Sequence, residues 1–119
     1  TSHCDCSHRR RIDFRCLLNG TMLCVEVDER QHKGYSLNDE DDRYNDLFMA
    51  FSGKWVFIRF NPDSYVNDKG NRVNPDIKRR FSRLLEEIGE QKRRVKNDEN
   101  DSLVEIHKLY FDVKRLQVP

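Results

Sequence analysis

Two short runs, IDFRCLL and TMLCVEV, are rich in strand-favouring residues and are separated by Asn19 and Gly20. Asn followed by Gly is the strongest short-range hairpin signal, because both turn residues accept positive φ. The pattern therefore predicts strands over about residues 11–18 and 21–28. With a two-residue turn, Leu18 faces Thr21 and Asp13 faces Glu26. Side-chain alternation then places Arg11, Asp13, Arg15, Cys24, Glu26 and Asp28 on one face. The period changes in SLNDEDDRYNDLFMAF, where Tyr44, Leu47, Phe48 and Phe51 follow the i, i+3, i+4, i+7 spacing of an amphipathic helix. Acidic residues crowd its first turn, and Gly53 is its expected stop. KWVFIRF is a nearly continuous apolar run, which predicts a central strand covered on both faces. Asn74 and Pro75 are a suitable cap and first position for a second helix, whose expected apolar stripe is Ile77, Phe81, Leu84, Leu85 and Ile88. LVEIHKLYFDV has the composition of a last strand.

At 119 residues the chain is most simply one domain, long enough for a small core. The expected domain spans residues 9–119, and residues 1–8 read as the remnant of an upstream Cys- and His-containing segment. The start at Thr1 is expected of a piece of a longer protein. Hydrophobic and charged residues each make up 36%, which is polar for a globular chain, while seven Phe, four Tyr and one Trp argue against wholesale disorder. No apolar run reaches the roughly 20 residues of a membrane helix, and no signal-peptide pattern opens the chain. The expectation is an intracellular protein, cytoplasmic or nuclear, with no membrane partner. Cys16 and Cys24 fall within the expected strands, so the four cysteines read as reduced thiols.

Candidate chemistry lies at the far end of the hairpin. Like charges facing each other across a strand pair are destabilising, so a bare Asp13 and Glu26 pair should raise the pKa of at least one acid or recruit a cation. Mg²⁺ answers that need: it binds through one or two carboxylates, keeps waters and leaves room for a phosphate oxygen. Such an ion is the minimum equipment for hydrolysing a phosphodiester. The alternative is that Arg11 and Arg15 neutralise the carboxylates in a surface salt network. His32 lies four residues past Asp28 and has the chemistry of a general acid or base near neutral pH. Asp42 is placed to support His32, or belongs to a solvated helix start.

RIDFRCLLNGTMLCVEVDERQHKGY, followed by DEDDRYNDL and WVFIRFNPDSY, resembles the very-short-patch-repair-like, EDxHD branch of the PD-(D/E)xK nuclease superfamily. The likeness covers about residues 9–66. It implies a restriction-endonuclease-like α/β fold, with a central mixed β-sheet that starts with a β-hairpin and is flanked by helices. It also implies DNA cleavage or nicking that depends on Mg²⁺ or Mn²⁺, as in homing or repair endonucleases. Carried over onto this sequence, Asp13 takes the metal-ligating "PD" position, Glu26 the acidic position of the second strand, His32 the proton-transfer position and Asp42 the late aspartate. Two departures stand out. Asp28 replaces the usual lysine two positions after the second acid, where it completes the metal shell or orients His32. The early glutamate has no counterpart. A nucleic-acid-binding module that keeps the fold without the chemistry is therefore the alternative.

Arg9, Arg10 and Arg11, with Gln31 and Lys33 beside His32, are candidate DNA contacts. So are Arg79, Arg80 and Arg83 on the second helix, where residues 78–96 carry eight basic residues against three acidic ones. The formal net charge is only +1, so attraction to DNA must come from uneven charge distribution. HCDCSH supplies His3, Cys4, Cys6 and His8, zinc-competent residue types that make half a Zn²⁺ site at the amino end. Cutting both strands with one site per chain would favour a homodimer or two successive nicks.

Overall fold

The computed structural model describes residues 13–28 and 37–113, without the side chains of residues 37–41. Among these residues six strands and two helices follow in the order β1 (Phe14–Leu18), β2 (Thr21–Val27), α1 (Leu37–Ala50), β3 (Lys54–Phe60), β4 (Tyr65–Val66), β5 (Arg72–Val73), α2 (Ile77–Lys96) and β6 (Val104–Leu109). A mixed four-stranded sheet has the order β1-β2-β3-β6, and β4 and β5 form a separate two-stranded ribbon. β1 and β2 are antiparallel, whereas β2, β3 and β6 are mutually parallel. The architecture is α/β.

The hairpin has the expected register, with Leu18 opposite Thr21 and Phe14 opposite Val25. Asn19 and Gly20 both adopt positive φ, 46° and 78°, as a right-twisted two-residue turn requires. The Gly20 carbonyl also accepts the Lys54 N–H at 3.2 Å, which joins the turn to the start of β3. At Gly53 a Cβ would sit 2.6 Å from that carbonyl oxygen, so only glycine permits the approach.

The sheet has a core on each face. On one, Leu23, Val25, Val56, Ile58, Phe60 and Leu109 pack with Val95, Leu84 and Ile88 of α2. On the other, Cys24, Trp55 and Phe57 meet Met22 of β2, Tyr44, Leu47 and Phe48 of α1, and Phe51 just after it. Trp55 stacks on Phe57 at 5.3 Å and donates its indole N–H to the Phe51 carbonyl at 3.1 Å. Burial of β3 on both faces accounts for its continuous apolar run.

α2 departs from the expected stripe. Its first residue is Ile77, after an Asp76 cap that makes no side-chain cap bond. Ile77, Phe81 and Leu85 are exposed, while the residues turned inward include Arg80, Glu87, Gln91 and Val95. Burial is tolerated because those polar groups are hydrogen-bonded. Arg83 bonds Glu87 at 2.7 Å, Gln91 bonds Glu87 at 2.6 Å, and Arg94 joins Gln91 at 2.6 Å to Glu105 of β6 at 2.7 Å. Arg94 accordingly holds the Glu105 carboxyl below the usual carboxylate range.

Arg80 is the pin at the start of the helix. Its guanidinium donates to the carbonyls of Pro75 (3.1 and 3.0 Å), Asn61 (3.1 Å) and Asp63 (2.7 Å), and to the Asn74 side-chain oxygen. The ring of Tyr110 lies 5.6 Å from it. Being buried, Arg80 is a clamp on the loops rather than an exposed phosphate contact, which corrects the expectation for that residue. Asn74 likewise receives Arg80 instead of capping the helix. Arg80→Met should lower unfolding free energy by about 3 kcal/mol, because it strands buried carbonyls without a donor. A urea melt checks this, and a loss below about 0.5 kcal/mol would contradict the clamp.

Candidate functional site

Even-numbered residues of β2 face α1. Met22 and Cys24 lie over the aromatic core, but farther along the same face the strand carries Glu26 and then Asp28. Both acids are buried, at 2% and 0% exposure. An unpaired carboxylate there would be costly, so each needs a cation. Glu26 forms an ion pair with Arg43 of α1, and Asp28 forms one with Arg59 of β3.

The geometry of this cluster follows from register. Arg59 is the β3 neighbour of Glu26, and its guanidinium reaches one step farther to Asp28 and to the Tyr44 hydroxyl, 3.2 Å away. The Asp28 N–H donates to the Phe60 carbonyl at 2.7 Å, extending the β2–β3 ladder past Val27. Arg43 lies over the Tyr44 ring at 5.1 Å and Arg59 over the Phe111 ring at 5.6 Å, contacts that favour a cation on the ring face. Burial pushes the Arg43 guanidinium below its ordinary range, yet arginine remains a cation at any physiological pH. Burial also raises the Cys24 thiol to about 12, which makes it an inert core residue.

Asp13 lies just before β1 and is exposed. Its Oδ2 accepts the Val27 N–H at 2.7 Å, so the side chain takes the place of a ladder carbonyl where backbone pairing stops. Asp13 is therefore fastened between Glu26 and Asp28 along β2. Arg43 supplies the counter-charge of Glu26, the buried member of the expected Asp13–Glu26 pair. Arg15 pairs in register with Cys24, and Arg11 lies outside the described residues.

Asp42 is exposed on α1. Arg79 is exposed on α2, and Arg83, 44% exposed, pairs with Glu87. Arg9, Arg10, Gln31, His32, Lys33 and the amino-terminal His and Cys residues lie outside the described residues. Arg43 and Arg59 were not foreseen, although both carried a signal. Arg59 shares the β3 face of Trp55 and Phe57, and Arg43 is four residues before Leu47 on the inner side of α1.

Glu26 Oε1, with Nε and Nη1 of Arg43, is buried without a hydrogen-bond partner among the described residues. An orphaned carboxylate oxygen has the hard-oxygen chemistry that Mg²⁺ takes through one or two carboxylates. No group of three or more His, Cys, Asp or Glu side chains among the described residues is placed to hold a metal. Arg43 is its competing cation.

No protein-family model, curated protein or solved structure matches the chain. Among the described residues, no helix is long and apolar enough to cross a membrane.

If Glu26 and Arg43 neutralise each other, removing one charge must cost more than removing both. Arg43→Leu is expected to lose about 3–5 kcal/mol by leaving a buried carboxylate unpaired, and Glu26→Leu with Arg43→Leu to lose less. Urea unfolding of the two single variants and the double variant checks this. Simple additivity would contradict the pairing.

Proposed function

We propose that this chain is a metal-dependent DNA endonuclease or nickase, with a restriction-endonuclease-like form of the mixed sheet and the EDxHD arrangement of acids and histidine. The observation that carries this reading is the anchoring of Asp13 on the Val27 N–H, between Glu26 and Asp28. Acidic groups thereby gather where β2 and β3 end, and the carboxyl ends of parallel strands are where open α/β sheets bind ligands.

In this reading Asp13 and Glu26 hold Mg²⁺ or Mn²⁺. When bound, the ion supplies a Lewis acid for the scissile phosphate and a lowered pKa for the attacking water. The chain's own residues do the rest. Asp13 brings its carboxylate to the site at no cost in ladder bonding, because Val27 keeps a hydrogen-bond acceptor. His32 moves the proton of the attacking water or the leaving oxygen. Asp28 is occupied by Arg59, so its role is to fix Arg59 and Tyr44 beneath Glu26 rather than to bind the ion. Arg79 and Arg83 on α2 add phosphate attraction that falls with salt.

One observation favours the second reading, a nucleic-acid-binding module without chemistry: Arg43 already supplies Glu26 with a positive charge. Cleavage of supercoiled plasmid separates the two. Nicked or linear product should form with Mg²⁺ or Mn²⁺ and not with EDTA. Asp13→Asn and His32→Ala should each lower the rate by roughly 10²-fold or more, Asp13→Asn while keeping or strengthening DNA binding. Normal turnover by Asp13→Asn contradicts the nuclease assignment. Salt-sensitive DNA binding with no cleavage by the wild-type chain supports the binding module.

A further inference from the structure

We infer that the outer edge of β6 pairs antiparallel with β6 of a second copy of this chain, centred on Ile106, to join two four-stranded sheets into one. The inference is independent of the nuclease reading.

Among the described residues, the one strand that pairs with β6 is β3. The Trp55 N–H donates to the Leu103 carbonyl at 2.8 Å and the Asn61 N–H to the Leu109 carbonyl at 3.1 Å. In a parallel ladder this fixes the alternation: odd-numbered peptide groups of β6 point to β3, and those of Val104, Ile106 and Lys108 point outward. After β6 the chain turns away at Tyr110, whose φ is 65°, and Val113 donates to the Val66 carbonyl at 2.9 Å. The described continuation thus runs to the β4–β5 ribbon and not along the β6 edge.

Exposed edges in monomeric proteins are blunted by prolines, bulges, very short strands or charged side chains, lysine above all. β6 has no proline or bulge and is six residues long, VEIHKL, with regular pairing throughout, and its one lysine, Lys108, lies near the end of the strand. Val104 and Ile106 are 37% and 42% exposed on the face that α1 covers only over β2 and β3.

The strand complements itself in one register. For two identical antiparallel strands related by a twofold axis normal to the sheet, facing residues have the same parity. Outward-pointing Ile106 can therefore face its own copy and exchange both backbone bonds with it. Val104 and Ile106 then meet their counterparts in one apolar strip, and Lys108 faces Val104 instead of another Lys108. On the α2 face, His107 of each copy lies opposite Glu105 of the other, in the closer, non-hydrogen-bonded type of pair. Glu105 already accepts from His107 of its own chain at 2.9 Å and from Arg94 at 2.7 Å, so the pairing extends an existing polar network. Registers shifted by two residues set Glu105 against Glu105, like charges directly opposite, or set His107 against itself and lose its pairing with Glu105. An edge-to-edge contact is small, which makes the dimer reversible.

Sedimentation velocity of the full chain, from low micromolar to near-millimolar concentration, should show a monomer–dimer equilibrium. Amide exchange at Val104 and Ile106 should slow as the dimer forms. Ile106→Lys sets two ammonium groups against each other and should leave a monomer with an unchanged circular dichroism spectrum. Ile106→Pro removes only an outward donor, which an edge strand tolerates, and should do the same. A single monomeric species at every concentration overturns the inference. So does a dimer that survives Ile106→Lys, or one whose formation leaves the Val104 and Ile106 amides exchanging as before.

Discussion

Two carboxylates on the inner face of β2 are matched by two guanidiniums that reach them from different directions. Arg43 comes from α1 and Arg59 from the neighbouring strand β3. Without those cations Glu26 and Asp28 could not sit at 2% and 0% exposure, because ionised groups enter a low-dielectric interior only when paired. The pairing also ties the helix to the sheet where the aromatic packing of Trp55, Phe57 and Phe48 gives out. Tyr44 bridges the two regions: its ring packs edge-on against Phe57 at 5.1 Å and its hydroxyl accepts from Arg59. One end of the α1 face is thus held by dispersion and the other by charge.

This division explains how the domain can place acidic chemistry at its surface. Asp13 is the exposed member, anchored on the Val27 N–H, and the buried acids behind it are already oriented. Preorganisation of that kind is what a metal-dependent hydrolytic site requires, since its groups need no rearrangement as charge develops. On the opposite face the same logic recurs in structural form. Glu87, Gln91, Arg94 and Glu105 form a satisfied polar chain between α2 and β6, and Arg80 closes the helix start onto its loops.

Much of the fold was legible in local chemistry. The Asn19–Gly20 turn set the hairpin register, and the apolar density of residues 55–60 marked the central strand, because each of those signals depends on a few neighbouring residues. The inward face of α2 was not legible. Periodicity assigns Ile77, Phe81 and Leu85 to the core, but Arg80 finds Asn61, Asp63 and Pro75 carbonyls in loops that only the tertiary fold brings to it, and the helix rotates to meet them. The β4–β5 ribbon was missed for a related reason: its two-residue strands lie in a turn-rich segment and carry no period. At the site, the sequence pointed to the acids and to their need for a cation, whereas the identity of the cations depended on which helix and strand packed beside β2.

The claim on which the functional account rests is that Asp13 and Glu26 together bind a divalent ion although Arg43 is present. Mn²⁺ added to the isotopically labelled chain tests it directly, because the ion broadens nuclear resonances near its site. The account predicts selective broadening of the amides around Asp13 and Glu26 to Asp28, displaced by excess Mg²⁺ and absent in Asp13→Asn. Broadening confined to other acidic residues, or none around Asp13 in the wild-type chain, would contradict it.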